Sequence, residues 1–185
     1  MSKVGKTQQG GMAAIMNATK KQIDQICNQD GIVVPANLNT PDQIVISGDQ
    51  DSINKAIKTA KTLGLHRIFP LKVSGAFHSP LMNPVKNKLA EILEKIQFSK
   101  SKFAIIQNVN AKVETEPEKI KKNLLNQLIS PVNWYDTIFK MEQSGIKKFI
   151  ECGPKKVLSS LNRRILKDSI NLNIESYHQL NSFEL

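Results

Sequence analysis

The spacing of apolar and polar residues predicts that the first half of the chain alternates short strands and helices. The run "GMAAIM", residues 11–16, is typical of a strand, and the segment 19–29 repeats its apolar residues with a helical period. Two β-rich runs follow, "GIVVPANLN" and "DQIVISG", and the turn-forming residues 39–42 join them. The chain is therefore expected to begin with a strand, a helix and a β-hairpin.

A second helix and a fourth strand complete this pattern. Asp49 is suited to cap the helix, and Gly64 is suited to end it. Between them the apolar residues recur at helical intervals: Ile53, Ala56, Ile57, Ala60 and Leu63. The run "RIFPLKV" is typical of a strand that is broken at Pro70. The predicted order over residues 11–74 is βαββαβ, which is the split-βαβ, ferredoxin-like arrangement.

The second half of the chain has several predicted helices and few strands. Ser79 can serve as the N-cap of a helix whose first residue is Pro80. The apolar stripe of this helix comprises Leu81, Val85, Leu89, Ile92, Leu93 and Ile96. Pro84 lies in its early turns, where it bends the helix or delays its start. The run "FAIIQNV" then predicts a buried strand.

Three further helices and one more strand are predicted towards the C-terminus. Thr115 and Glu118 have the spacing of a capping box, which predicts a helix through Leu128. Another short helix ends at Gly145, and "KKFIEC" is typical of a strand. The last helix has these residues facing inward: Val157, Leu158, Leu161, Ile165 and Leu166. Because two or three strands cannot make a covered parallel sheet, this α/β half looks incomplete.

Composition supports a folded protein without a membrane or metal partner. The 185 residues are 40% hydrophobic and 23% charged, and no apolar run approaches the roughly 20 residues that span a bilayer. The N-terminal residues have no apolar stretch of signal-peptide length. The two cysteines, Cys27 and Cys152, lie far apart and have no companions at metal-ligand spacing. These features favour a reduced, cytoplasmic setting.

The net charge of +10 suggests an anionic partner, but the residue types argue against nucleic acid. Only three of the 26 basic residues are arginines, and the lysines are scattered along the chain. Aromatic residues make up only 5% of the sequence, and none alternate with basic residues as a base-stacking groove requires. The charge is therefore attributed to solvated lysine faces.

His78 is the candidate catalytic residue. It is one of three histidines and lies in "VSGAFHSPLM", at a predicted corner between a strand and a helix. A helix N-terminus beside it carries partial positive charge, which favours the neutral imidazole that a general base requires. A packing role is the alternative for a lone histidine beside an aromatic residue. His66 and His178 have no such context and are expected to be surface or packing residues.

Five stretches together resemble the malonyl-CoA:acyl carrier protein transacylase family. They are "GMAAIM", "ANLNTPDQIVISG", "VSGAFHSPLM", "NQLISPVNW" and "IECGPKKVLSSLNRRI", in this order. The resemblance covers the chain from about Gly10 to Ile165. It implies an α/β-hydrolase-like acyltransferase domain with a ferredoxin-like insert. Residues 1–10 would be a lead-in, 11–74 the ferredoxin-like subdomain, and 75–185 the C-terminal part of the large acyltransferase subdomain.

The resemblance also implies roles for five residues. His78 would be the catalytic histidine, and its partner would be the main-chain carbonyl of Gln127. Phe77 would select malonyl over the bulkier methylmalonyl by steric exclusion. Asn37 and Asn39 would lie beside the substrate cleft, although asparagines in such segments also commonly satisfy turn backbone. Because the acceptor in Gln127 is main chain, replacing its side chain is expected to matter much less than replacing His78.

The sequence departs from the family pattern in its nucleophile. The family's serine lies in a G-H-S-x-G turn, and no G-x-S-x-G occurs in this chain. A G-Q-G segment of the oxyanion hole and a carboxylate-binding arginine are also absent, and in the family all three precede "GMAAIM". The chain is therefore expected to be the C-terminal portion of such an enzyme. A smaller departure is Lys155, where the family usually has glycine.

Two classes of function remain open at this point. The first is transfer of malonyl from CoA to phosphopantetheinyl acyl carrier protein, without a cofactor. In this case either a separate N-terminal fragment supplies the serine, or the chain is a fragment of a broken gene. The second is an inactive fragment, or a small module that binds carrier protein or pantetheine.

Overall fold

A computed structural model of the protein describes residues 10–181. They form two compact units, one ending at Trp134 and the other beginning at Tyr135. The predicted lead-in, residues 1–10, lies outside the described residues except for Gly10.

The first unit opens with a four-stranded antiparallel sheet and two helices. Its elements are β1 (Gly10–Met16), α1 (Lys20–Cys27), β2 (Val33–Thr40), β3 (Gln43–Asp49), α2 (Gln50–Thr62) and β4 (Ile68–Pro70). The strands are ordered β2-β3-β1-β4, so the two edges are β2 and β4. The βαββαβ order predicted from the sequence is present.

Local hydrogen bonds explain where these helices begin. Thr19 forms a capping box with Gln22 at the start of α1. At the start of α2, the carboxylate of Asp49 accepts from the backbone N–H of Ser52 at 2.9 Å and from that of Ile32 at 2.8 Å. Asp49 therefore caps its helix, as predicted, and also binds Ile32, the residue just before β2.

The two faces of the sheet have different partners. One face packs on α1 and α2 and forms the main core, which includes Ile15, Ile26, Ile46 and Ile53. The opposite face presents Met12, Ala14, Ala36 and Val45, with Phe77 packed against them. Because side chains alternate between the two faces along each strand, the register that buries the core residues also places these residues on the second face.

The remainder of the first unit is mainly helical. It comprises a 3₁₀ turn (Pro80–Met82), α3 (Asn83–Glu94), β5 (Ile105–Gln107), β6 (Lys112–Glu114) and α4 (Pro117–Gln127). The α-helix begins at Asn83 and not at Pro80, because a 3₁₀ turn comes first; this later start agrees with the expectation that Pro84 delays the helix. A proline is tolerated in the first turn, where its missing N–H has no intrahelical partner.

Two predicted caps in this region are wrong. Ser79 precedes the 3₁₀ turn but makes no side-chain cap hydrogen bond. Glu116, not Thr115, is the N-cap of α4, and no side chain caps that helix. The Glu114 carboxylate instead accepts from the N–H groups of Thr115 and Glu116. Pro117 begins the helix with its fixed φ.

The prediction of a buried strand at "FAIIQNV" is also wrong. Only Ile105–Gln107 is extended, it is half-buried, and it pairs with β6 in a two-stranded antiparallel ribbon. Phe103 is 79% exposed. In the predicted stripe of α3, Leu93 is buried whereas Ile92 and Ile96 are exposed. A ribbon of two short strands offers too little surface to cover these side chains.

The second unit is built around a pair of parallel strands. Its elements are α5 (Trp134–Gln143), which starts at the last residue of the first unit, β7 (Lys148–Cys152), α6 (Val157–Ile165), β8 (Ile170–Ile174) and α7 (Tyr177–Asn181). The register pairs Lys148 with Ile170 and Cys152 with Ile174. Leu161 and Leu166 are buried as predicted, but Val157 and Leu158 are exposed, which contradicts the inward orientation expected for them.

Candidate active site

His78 lies in a tight turn between β4 and the 3₁₀ turn. Its φ of 58° is left-handed, a conformation that costs most residues about 1–2 kcal/mol and that surrounding contacts must hold. The next residue, Ser79, is fully buried, and its Oγ donates to the carbonyl oxygen of Ala76 at 2.7 Å. This hydrogen bond closes the turn that carries the imidazole.

A glycine in β1 lets this turn approach the sheet. A Cβ on Gly10 would lie 2.8 Å from both the Cβ and the backbone nitrogen of Ala76, which is closer than carbon side chains pack. Gly10 therefore allows the backbone of the turn to rest directly on the sheet face that also packs Phe77.

The imidazole of His78 is bound to the end of α4. Its Nδ1 lies 2.9 Å from the carbonyl oxygen of Gln127, the last residue of that helix. Since a carbonyl oxygen can only accept, Nδ1 donates, and in the neutral ring Nε2 is then the unprotonated nitrogen. Nε2 has no hydrogen-bond partner within residues 10–181, so its lone pair is available to take a proton.

His78 lines a groove of about 370 Å³ on the open face of the sheet. The groove is lined by Met12, Asn37, Leu71, Val73, Phe77 and His78. Its wall is apolar except for Asn37 and His78. This arrangement suits a ligand with an apolar body and one or two polar groups to be oriented.

The structure thus brings four of the five candidate residues into one region. Phe77, His78 and Asn37 line the groove, and Gln127 contacts the ring of His78. Asn39 lies two residues further along β2 and is not among the described residues that line the groove. A register shift between Leu38 and Thr40 separates the two asparagines along β2.

No serine among the described residues is hydrogen-bonded to His78. The Oγ of Ser79 was expected to accept from the following helix, but it donates to Ala76 and is buried away from solvent. Ser74 is exposed, outside the strands and helices. The described site therefore contains an imidazole whose Nδ1 donates to a carbonyl, and no nucleophile is engaged with its Nε2.

Sequence reasoning missed three residues of the groove, namely Met12, Leu71 and Val73. A signal for two of them was present, because Phe69, Leu71 and Val73 alternate in the way that places side chains on one face of an extended segment. Leu71 is aligned by its N–H, which donates to the carbonyl oxygen of Met12 at 2.9 Å.

The described residues contain no group of three or more His, Cys, Asp or Glu side chains able to hold a metal ion. In the same span, no helix has the length and apolar character needed to cross a membrane.

Comparison with known families defines the class of this protein. The family model described as "Acyl transferase domain" matches residues 2–181. The chain therefore belongs to the acyl transferase domain family, and the resemblance seen in the sequence is confirmed. It is 40% identical over 163 residues to the malonyl CoA-acyl carrier protein transacylase of Staphylococcus aureus. That match covers 86% of this chain and 53% of the relative, so the chain spans about half the length of the curated relatives it matches.

Solved structures agree with this assignment. The crystal structure of MCAT from Streptococcus pneumoniae superposes with a TM-score of 0.91 at 36% identity, covering 98% of this chain and 60% of that one. A second match is a malonyl-transacylase in complex with a type II PKS acyl-carrier protein, with a TM-score of 0.89 at 33% identity. It covers 97% of this chain and 60% of that chain.

Proposed function

We propose that this chain is part of a malonyl-CoA:acyl carrier protein transacylase, in which it supplies the general base and one wall of the acyl groove. The observation that carries the proposal is the hydrogen bond from His78 Nδ1 to the Gln127 carbonyl, beside a groove lined by Phe77 and Asn37. The names of the relatives and structural neighbours support the substrates, malonyl-CoA and acyl carrier protein.

In the proposed reaction, His78 moves one proton in each of two half-reactions. Nε2 takes the proton of a serine hydroxyl as its oxygen attacks the malonyl thioester, and then gives that proton to the departing thiolate of CoA. In the second half-reaction Nε2 takes the thiol proton of the phosphopantetheine arm of the carrier protein. The sulfur attacks the acyl-serine, and His78 returns the proton to the serine oxygen. These steps use only the serine, His78 and the thiols of CoA and phosphopantetheine, so no cofactor is proposed.

The serine is proposed to come from a segment outside the matched length, supplied by a separate N-terminal fragment. This chain has no G-x-S-x-G, and within its described part no serine contacts Nε2. The same observation favours the second candidate function, in which the chain is an inactive fragment or a module that holds carrier protein or pantetheine without catalysis.

The proposal also assigns the two predicted subdomains. Residues 11–74 are the ferredoxin-like subdomain, which the strand order β2-β3-β1-β4 supports. Residues 75–185 are the C-terminal part of the α/β-hydrolase-like subdomain. A cytoplasmic setting is proposed because Cys27 and Cys152 are both free thiols.

Acyl selection is proposed for Phe77 and Asn37. The Phe77 ring packs on Met12, Ala14, Ala36 and Val45 while lining the groove, so it cannot move aside without disturbing this cluster. A branched acyl group would therefore meet a fixed ring. Asn37 offers an amide that can orient a polar acyl group, and Asn39 stays a prediction.

The test supplies the proposed N-terminal fragment, which carries the serine, as a separate chain. The chain is mixed with the part of the Staphylococcus aureus relative that it does not match, and malonyl transfer to acyl carrier protein is measured. Transfer is expected with the mixture, and His78→Ala should lower turnover by about 10²–10⁴-fold, the usual worth of positioned proton transfer. His66→Ala, a change of an exposed histidine, is the matched control.

The same samples discriminate between the two candidate functions. Incubated alone with malonyl-CoA, the chain should show no malonyl adduct by intact mass spectrometry. Transfer that is unaffected by His78→Ala would refute the assignment of the base. Tight binding of holo carrier protein without any transfer in the mixture would favour the binding module.

A further inference from the structure

The carbonyl oxygen of Gln127 is available to His78 because the following residues cannot use it. In a continuing helix this oxygen would accept from the N–H four residues later. That residue is Pro131, which has no N–H, so the helical bond cannot form. The direction of the carbonyl then depends on whatever fixes the chain just beyond α4.

The side chain of Gln127 fixes this part of the chain. Its Nε2 donates to the carbonyl oxygens of Ser130 and Pro131, both at 3.0 Å. These bonds engage both hydrogens of the carboxamide. One residue therefore contributes the acceptor for His78 through its main chain and holds the next turn through its side chain.

The segment held by Gln127 is joined to the edge strand of the groove. The N–H of Val132 donates to the carbonyl oxygen of Ala36, and the N–H of Leu38 donates to that of Val132, both at 2.9 Å. These two bonds flank Asn37, whose side chain lines the groove beside His78. The segment at Val132 thus extends the sheet beyond β2 at Asn37, the asparagine that lines the groove.

The end of α4 is also anchored from two other elements. Lys86 of α3 donates from Nζ to Oδ1 of Asn126 at 3.1 Å. Asn123 of α4 donates to Oε1 of Gln107 in β5 at 2.8 Å. With the helix body tethered, the peptide plane at Gln127 is controlled mainly by what its own carboxamide binds.

We propose that the Gln127 carboxamide is a positioning group that couples the orientation of His78 to the edge strand carrying Asn37. The carboxamide holds Ser130 and Pro131 by hydrogen bonds. It thereby orients the Gln127 carbonyl toward Nδ1 of His78 and keeps Val132 hydrogen-bonded to β2. The inference rests on the proposed function, since it assigns this role around the proposed base. It also revises the expectation that replacing the side chain of Gln127 matters much less than replacing His78.

The first test reads the tautomer of His78 in the chain alone, with ¹⁵N-labelled histidine at alkaline pH. The wild-type ring should be almost entirely in the Nδ1–H form, and a His78→Ala spectrum assigns its signals among the three histidines. Gln127→Met keeps the length of the side chain but removes both donors. It should give a mixture of the Nδ1–H and Nε2–H forms.

The second test reads the contact with β2 by amide hydrogen exchange. In Gln127→Met the N–H groups of Val132 and Leu38 should exchange about tenfold faster, the expected effect of losing one or two hydrogen bonds locally. The N–H groups of β1 and β3 should exchange as in the wild type, which separates local loosening from unfolding. Gln25→Met is the matched control, because Gln25 is an exposed glutamine of α1 without a side-chain hydrogen bond among the described residues.

Gln127→Asn provides a second variant, which keeps the amide but shortens its reach by one methylene. It should behave like Gln127→Met, and it decides the matter if the methionine variant does not fold. An unchanged His78 tautomer with unchanged exchange at Val132 and Leu38 in a folded variant would overturn the inference. Failure of the proposed function would show separately, as malonyl transfer that survives His78→Ala.

Discussion

At the scale of single residues, the turn around His78 depends on one buried hydroxyl. Ser79 is completely buried, and its Oγ bonds to Ala76, whose backbone rests on Gly10. Ser79 is next to His78 but is unsuited to act as a nucleophile, because its hydroxyl already donates a hydrogen bond and is buried. We expect this hydrogen bond to help hold His78 in its left-handed conformation.

Replacing Ser79 by alanine is expected to lower the free energy of unfolding by about 1–2 kcal/mol, since the buried carbonyl of Ala76 would lose its donor. Urea unfolding followed by circular dichroism measures the change. Ser74→Ala, which removes an exposed hydroxyl, should change the stability by less than about 0.5 kcal/mol. Equal effects of the two substitutions would show that the Ser79 hydrogen bond contributes nothing to the turn.

Lys155 illustrates a second residue-scale feature. Its φ of 71° is left-handed, which gives a physical reason for the glycine that the family usually has there. The lysine side chain is exposed. Its carbonyl oxygen accepts from Nδ2 of Asn173 at 2.8 Å, so the turn is held from β8.

At the scale of elements, Glu151 joins a strand to the helix that follows it. The carboxylate at the end of β7 accepts from the N–H of Leu158 at 3.0 Å, and from the N–H and Oγ of Ser159 at 2.8 and 2.7 Å. It therefore serves as the N-terminal cap of α6. Burial raises the pKa of Glu151, but the hydrogen bonds from Ser159 and Leu158 outweigh it and hold the pKa below the usual 4.5.

The lowered pKa of Glu151 predicts how this cap responds to pH. A carboxyl whose pKa is lower in the folded state stabilises the fold above its unfolded pKa of about 4.5, and this stabilisation is lost as the pH falls through the folded value. Glu151→Gln should therefore lower the stability at pH 7 by about 1 kcal/mol. The difference from the wild type should shrink as the pH falls below 4.5.

Denaturant unfolding at pH 7 and at successively lower pH values measures this difference. Glu142→Gln in α5, which changes an exposed carboxylate, is the control. A difference between Glu151→Gln and the wild type that is independent of pH would contradict the role of the ionised cap.

At the scale of the whole molecule, the second unit leaves apolar side chains uncovered. Val157 is 57% exposed and Ile170 is 56% exposed, and Ile150 and Leu158 are also exposed. Parallel strands are normally buried on both faces, whereas the described part of this unit, up to residue 181, contains a single parallel pair. Apolar surface of this kind favours association.

The 185-residue chain is therefore expected to bind a hydrophobic dye and to self-associate. The double variant Val157→Ser, Ile170→Ser should bind less dye, because both side chains are accessible. Lys148→Ser, a change of an exposed polar residue in the same unit, should leave dye binding unchanged. A monodisperse monomer that melts sharply and binds no dye would contradict the prediction. Dye fluorescence and light scattering provide the two measurements.

The sequence by itself determined the βαββαβ region and the position of His78. The strands and helices of that region are specified by local periodicity and by caps such as Thr19 and Asp49, each of which accepts from a residue three positions away. His78 could be singled out because its motif places a histidine at a turn. Local signals of this kind do not require knowledge of distant contacts.

The tertiary structure alone decided which residues meet and which are buried. Gln127 lies 49 residues from His78, and no local pattern joins them; the family resemblance implied the pair, and the placement of α4 brings the carbonyl to the imidazole. The strand β8 was missed although "INLNI" has the apolar–polar alternation of a strand, because asparagine is depleted in strands. It is extended because it pairs with β7, where Asn173 binds the carbonyls of Glu151, Gly153 and Lys155. Burial at "FAIIQNV" was misjudged because an apolar run is covered only if another element packs on it, and periodicity does not reveal that element.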